Sequence, residues 1–179
     1  MKRLRFGVAL VYLMLTAVSV VHTQDKPPTS DSDIITIDGA KNPELIPNWA
    51  AWLEAFRFMA APAAPVEPIP TTIYLATSRE QRALIRKEAM FVIAQERELG
   101  QRALKLQDGL TAENVPERSD QADVLELKRR QAALDARDRL LAKLPVEGQI
   151  AVREFAEHVR KGYKATMVKS KLAQFLLPE

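Results

Sequence analysis

Polar and apolar residues follow three regimes along this chain. Phe6 to Val21 is an uncharged, largely apolar run preceded by Met1-Lys2-Arg3-Leu4-Arg5. Residues 24 to 77 show little periodicity and are broken by proline, whereas from residue 78 onward apolar side chains recur at spacings of three, four and seven. That recurrence is the signature of helices with one buried face. Ser78-Arg79-Glu80-Gln81 has the form of a capping box, so a helix is predicted to start there. Ile85, Ala89, Val92, Leu99, Ala103, Leu106 and Leu110 carry its stripe, Glu96 breaks the stripe once, and Gly109 ends the helix. Residues Ala89 to Ala94 are apolar all the way round and must meet neighbours on more than one side.

After a connection through Pro116, a second long helix is predicted over Ser119 to Lys143, with Val124, Leu127, Leu134, Leu141 and Leu144 on its buried face. Leu127, Leu134 and Leu141 stand one heptad apart, but Gln131 and Asp138 occupy the intervening positions. Two interrupted heptads do not make a coiled coil, so antiparallel packing on the preceding helix is expected. Pro145 opens a further helix with Val152, Phe155, Val159 and Tyr163 inward and Gly162 placed to end or bend it. Ala165 to Leu177 reads as a short last helix. Pairs such as Glu98/Arg102, Glu126/Arg130, Asp135/Arg139 and Glu157/Lys161 have the helix-supporting order and are expected on solvated faces.

The proline-rich stretch before residue 78 holds eight of the eleven prolines. Residues 24–33 read as a disordered leader. Ile34-Ile35-Thr36-Ile37 is β-prone, short, and closed by the turn signal Asp38-Gly39, as a lone extended segment packed on a helix. Pro47 is placed to start a helix running to about Ala60, with Trp49, Trp52, Leu53, Phe56 and Met59 on one face. Residues 61–70 hold four prolines and read as an extended linker. The fold expected is therefore all-α: a long antiparallel helical hairpin with shorter flanking helices and an extended Pro-rich N-terminal segment. Its divisions are a signal peptide at 1–23, a leader with one aromatic helix at 24–77, and a helical domain at 78–179.

Charge changes how this pattern is read. The chain is formally +3, which invites a nucleic-acid or membrane partner. Residues 1–23 carry Lys2, Arg3 and Arg5 and no acid, so their removal leaves 23 basic and 23 acidic side chains. The basic character belongs to the N-terminal segment, a charged n-region and apolar h-region of an export signal. The apolar run is shorter than the about 20 residues of a stable membrane span and is interrupted by Tyr12, Thr16 and Ser19. Cleavage is the expectation and an uncleaved inner-membrane anchor the alternative. Ala17-Val18-Ser19 and Val21-His22-Thr23 compete as processing sites. No cysteine is present, so neither disulfides nor a lipoprotein signal operate.

Little in the chain invites catalysis. His158 is the one histidine clear of the signal, and with no cysteine most zinc sites and every thiol mechanism are excluded. There is no G-x-G-x-x-G, Walker loop or G-x-S-x-G, and no cofactor or metal is expected. His158 is read as a boundary side chain beside Glu154. Two segments are candidates for contact with partners. The first is the aromatic helix, in which Trp49, Trp52 and Phe56 are read either as core or as anchors of a docking loop. The second is a basic tail with Arg160, Lys161, Lys164, Lys169 and Lys171 and no acid between residues 159 and 178. It is read either as a helix whose lysines complement its dipole or as a surface for an anionic membrane or acidic partner.

Asp38-Gly39-Ala40-Lys41-Asn42-Pro43-Glu44-Leu45-Ile46-Pro47 resembles a segment of uncharacterised exported bacterial helical proteins with a D-G-x-x-N-P-E-L-I-P stretch after the signal peptide. The resemblance spans about a dozen residues and implies export, with no activity or catalytic residue. The long hairpin without cysteines is similar in architecture to periplasmic chaperones of the Skp and Spy type, and Leu110-Thr111-Ala112-Glu113 resembles a short L-T-x-x motif of the latter. The expectation is an exported, periplasmic or extracellular, non-enzymatic protein-interaction or chaperone-like module, with a protein partner and no nucleic acid. A membrane-anchored envelope protein is the alternative.

Overall fold

A computed structural model describes residues 34–61 and 69–176. The expected export signal and leader up to residue 33, residues 62–68 of the expected linker and residues 177–179 lie outside the described residues. In order, the elements are strand β1 (Ile34–Asp38), a 3-10 turn (Pro43–Leu45), α1 (Asn48–Ala60), α2 (Thr71–Ala76), α3 (Arg79–Lys105), α4 (Val115–Lys143), α5 (Val146–Gly162), strand β2 (Lys164–Val168), a second 3-10 turn (Lys169–Lys171) and α6 (Leu172–Phe175). The architecture is all-α, built on the α3–α4 antiparallel hairpin, with one two-stranded sheet beside it.

The centre of the molecule is α1. Trp49, Leu53, Phe56 and Met59 are buried, and so are Ala50, Ala51 and Ala55 on its other sides. A helix buried almost all round must be surrounded, and α1 packs against α3, α4 and α5. The alanines let those neighbours approach, while each large side chain contributes roughly 1.5–3 kcal/mol through burial. The composition boundary near residue 77 is thus not a boundary in packing, because the stretch before it supplies the core helix. Trp49 meets Phe175 of α6 edge-on, with ring centroids 5.6 Å apart, which pins the C-terminal segment to the same core.

Local chemistry accounts for most element ends. Ser78 Oγ accepts from the Gln81 backbone N–H at 3.3 Å, and Gln81 Oε1 accepts from the Ser78 N–H at 2.7 Å, so the predicted capping box starts α3. Pro145 is the N-cap of α5. Pro116 falls within the first turn of α4 and not in the connection, since proline at the first helical positions forfeits no hydrogen bond. A short helix, α2, follows the linker where none was expected; its Ile73 is fully buried.

Two expectations are corrected. The stretch after Tyr163 is not one helix: Lys164–Val168 is a strand paired antiparallel with β1, Ile34 opposite Val168 and Asp38 opposite Lys164. The β-prone segment is therefore not lone. Ile37, Ala165 and Met167 bury one face of the sheet, and Thr36 and Thr166 share a 3.2 Å hydroxyl hydrogen bond on the other. Gly39 ends β1 under the C-terminus of α5, donating to the Tyr163 carbonyl at 2.8 Å. A Cβ there would stand 2.0 Å from the Arg160 carbonyl oxygen, so only glycine fits.

The second correction concerns α4. Its buried face is Arg129, Arg130, Ala133, Ala136 and Leu140, and Leu127, Leu134 and Leu141 stand roughly 95–135° away from its centre at 100° per residue. Leu134 and Leu141 are half-buried flanks, while Leu127 and Val124 face solvent. The small alanines face α1 and α3 because two arginines must also fit there.

Those arginines belong to a buried ionic cluster. Glu96 of α3, the one break in its apolar stripe, accepts from Arg57 Nε at 3.1 Å and from Arg129 Nε at 3.2 Å. Arg57 also pairs with Glu54 at 2.8 Å, Arg129 with Glu126 at 2.9 Å, and Arg130 with Glu126 at 3.3 Å. Three carboxylates thus balance three guanidiniums. Glu126/Arg130 is accordingly no solvated pair. Arg130 lies over the Trp49 ring at 4.8 Å and donates to the Gln174 carbonyl at 2.8 Å. Burial pushes the Arg57 guanidinium down, but Glu96 and Glu54 outweigh it and hold it above its usual range. A second cluster joins Glu88 to Lys143 at 3.0 Å and Arg139 at 3.4 Å.

Candidate functional site

The aromatic residues nominated from sequence come together in the core, Trp52 against Phe56 with ring centroids 5.9 Å apart, and the nominated lysines form no single site with them. Trp49, Trp52 and Phe56 are at most 6% exposed, so the docking-anchor reading is replaced by the core reading. Apolar burial outweighs exposure for side chains of that size. Lys164 Nζ lies 3.3 Å from Asp38 across the sheet, and Lys171 Nζ lies 3.7 Å from Asp123 and 3.1 Å from Gln174 Oε1. The Asp38 carboxyl is held below its usual range by the Ala40 backbone N–H and, against some burial, by Lys164. Lys169 is exposed in the second 3-10 turn. The three lysines thus occupy a strand, a turn and the edge of a short helix, and no amphipathic basic helix forms. His158 is exposed on α5. Among the described residues no group of His, Asp and Glu is arranged to hold a metal ion, and no helix is long and apolar enough to cross a membrane.

What the structure does present is the far end of the hairpin. Helix α1 is 13 residues long, about 20 Å, whereas α3 and α4 have 27 and 29 residues, about 40 Å or more. Beyond Glu96 on α3 and Glu126 on α4 the pair leaves the core behind. In that stretch only Ala103 and Val115 are buried, and neither belongs to the main core cluster. Leu104 and Val124 are about half exposed there, and so is Leu127 at the base of the projecting stretch, one residue to the core side of Glu126.

The tip is nonetheless a built turn. Gly109 adopts φ +66, a left-handed conformation that costs other residues roughly 1 kcal/mol. Asn114 bridges it, donating from Nδ2 to the Gly109 carbonyl at 3.0 Å and accepting from the Thr111 N–H at 2.9 Å. Arg118 reaches back to the Leu106 carbonyl at 3.0 Å, satisfying the end of α3 with a cation where the helix dipole is negative.

Beside this turn an open groove of ≈ 440 Å³ runs between α3 and α4. Leu106, Val124 and Leu125 give it an apolar floor, and Arg102, Glu117 and Asp120 stand along its sides. Arg102 is committed to Glu98 at 2.5 Å, and Glu117 accepts from Gln121 Nε2 at 3.0 Å. From Leu106 to Leu127 the chain has six acids (Asp108, Glu113, Glu117, Asp120, Asp123 and Glu126) and one base, Arg118. Glu126 is balanced by Arg129 and Arg130 and Asp123 faces Lys171, so the acidity beside the apolar slot is that of Glu117 and Asp120. Sequence reasoning missed it by assigning Val124 and Leu127 to the core; the run of acids was the legible signal. No family profile, curated protein or solved structure matches this chain.

Proposed function

We propose that the chain is an exported, non-enzymatic module that acts by protein–protein contact, in the manner of a small chaperone or adaptor, through the projecting end of the α3–α4 hairpin. One observation carries this reading. Two long helices extend well past the core that stabilises them and carry exposed leucine and valine at their end. Apolar side chains held away from a core contribute little to folding, and exposed apolar surface of this kind marks interaction sites. The charged n-region and short apolar h-region at the N-terminus support export, and the cysteine-free composition suits a domain that relies on packing alone.

Two measurements test the reading. Sequencing the N-terminus of protein recovered from the envelope gives a start near residues 20–24; an intact Met1 in the membrane fraction instead identifies an anchored protein. A photo-crosslinking side chain introduced at Leu127 gives discrete protein adducts in intact cells, while the same group at Ile150, exposed on α5, gives none. Equal labelling from both positions, or none from Leu127, overturns the assignment of the tip.

A further inference from the structure

Resting on that reading, we propose that the groove between α3 and α4 receives a basic amphipathic helix of a partner protein, its apolar face on Leu106, Val124 and Leu125 and its lysines or arginines against Glu117 and Asp120. Three features of the groove select this occupant.

The first is charge. Two carboxylates, Glu117 and Asp120, line the groove, and the one cation that lines it, Arg102, is paired with Glu98. Asp120 has no ion pair among the described residues. A cationic partner is therefore steered in and an anionic one repelled. The second is the backbone. Both walls are helices whose N–H and C=O groups are spent within the helices, so nothing is offered to an added strand. An incoming segment must satisfy its own backbone, which a helix does. The third is shape. The slot is open along its length and floored by aliphatic side chains, which suits anchors spaced i and i+4 better than enclosure of a small molecule. A second copy of the chain docked here by two-fold symmetry would set one acidic rim against another, which costs affinity.

The test uses the processed full-length protein and fluorescence anisotropy with two labelled synthetic peptides of about 18 residues, long enough for stable helix on docking. One is a leucine–lysine amphipathic helix, the other its leucine–glutamate counterpart. The lysine peptide binds, and the glutamate peptide binds at least about tenfold more weakly. Val124→Asp abolishes binding, and Glu117→Lys with Asp120→Lys lowers affinity for the lysine peptide about tenfold or more while raising it for the glutamate peptide. All three positions are exposed, so circular dichroism of these variants matches the parent; Val124→Asp melts with the parent, and the charge reversal, with Glu117 in the first turn of α4, melts slightly lower. Equal binding of both peptides, or lysine-peptide binding indifferent to the charge reversal, overturns the proposal. Concentration-dependent self-association that Val124→Asp removes also overturns it, in favour of a second copy. If Leu127 still gives discrete adducts in cells while the peptide test fails, the occupant is wrong and the interaction reading stands; if the adducts are absent as well, both fail.

Discussion

Replacing Glu96 with alanine tests the ionic centre of the core. The Glu96 carboxylate holds Arg57 and Arg129 together; its side chain is 15% exposed, against 22% for Arg57 and 6% for Arg129. Removing it leaves two guanidiniums facing each other with one acid fewer than balance requires. Breaking a fully buried pair costs about 3–5 kcal/mol. Water reaches Arg57 here, and both arginines keep a second carboxylate, so about 2–4 kcal/mol is expected. For a domain of this size each kcal/mol lowers Tm by roughly 2–4 °C, so Glu96→Ala melts about 5–15 °C below the parent when followed at 222 nm. Glu98→Ala, two residues away, removes an exposed pair with Arg102 and changes stability by less than about 0.5 kcal/mol. The reasoning is refuted if the two variants shift Tm equally, because burial would then not be what distinguishes the two carboxylates.

Other substitutions separate further contributions. At Glu88, burial pushes the carboxyl up, but Lys143 and Arg139 outweigh it and hold it below the usual range. Its stabilisation is therefore full above the unfolded pKa and is lost as pH falls through the folded one. Glu88→Gln is accordingly less stable than the parent at pH 7, and the gap measured by urea denaturation closes as pH drops below about 4. Gly39→Ala drives a methyl into the Arg160 carbonyl and destabilises by roughly 3 kcal/mol or more. Gly109→Ala meets no neighbour and costs roughly 1 kcal/mol through φ alone, so the order of the two melting temperatures checks both arguments. Phe56→Ala empties a fully buried site and loses about 3–5 kcal/mol. A Phe56→Ala protein that keeps its Tm would return the aromatic helix to the surface.

The parts legible in sequence are those set by local chemistry. The capping box at Ser78 and the prolines at positions 47 and 145 marked where helices begin, because each acts on the backbone within one turn. The elements that tertiary contacts decide were not legible. Lys164-Ala165-Thr166-Met167-Val168 alternates as a strand does, but only the distant β1 makes that alternation useful. Leucines drew the eye on α4, yet the core side is taken by arginines whose guanidiniums find Glu96, Glu126 and the Trp49 ring. A polar residue on an inward face is identified only when its partners on other helices are known. Glu96 was visible as a break in a stripe; Arg57, Arg129 and Arg130, which explain the break, were not. The same bias toward apolar side chains placed Val124 and Leu127 inside and concealed the acidic groove.

The pairing of β1 with β2 joins residues 34–38 to residues 164–168, with every long helix strung between them. A chain made or threaded from its N-terminus onward thus carries its first strand unpaired until about 130 further residues have emerged. Phe175, which closes on Trp49, arrives later still. The helices form locally and early, but the central helix keeps one side open until this clasp shuts. Completion of the fold is thereby tied to the release of the last strand and of the Phe175 segment that follows it.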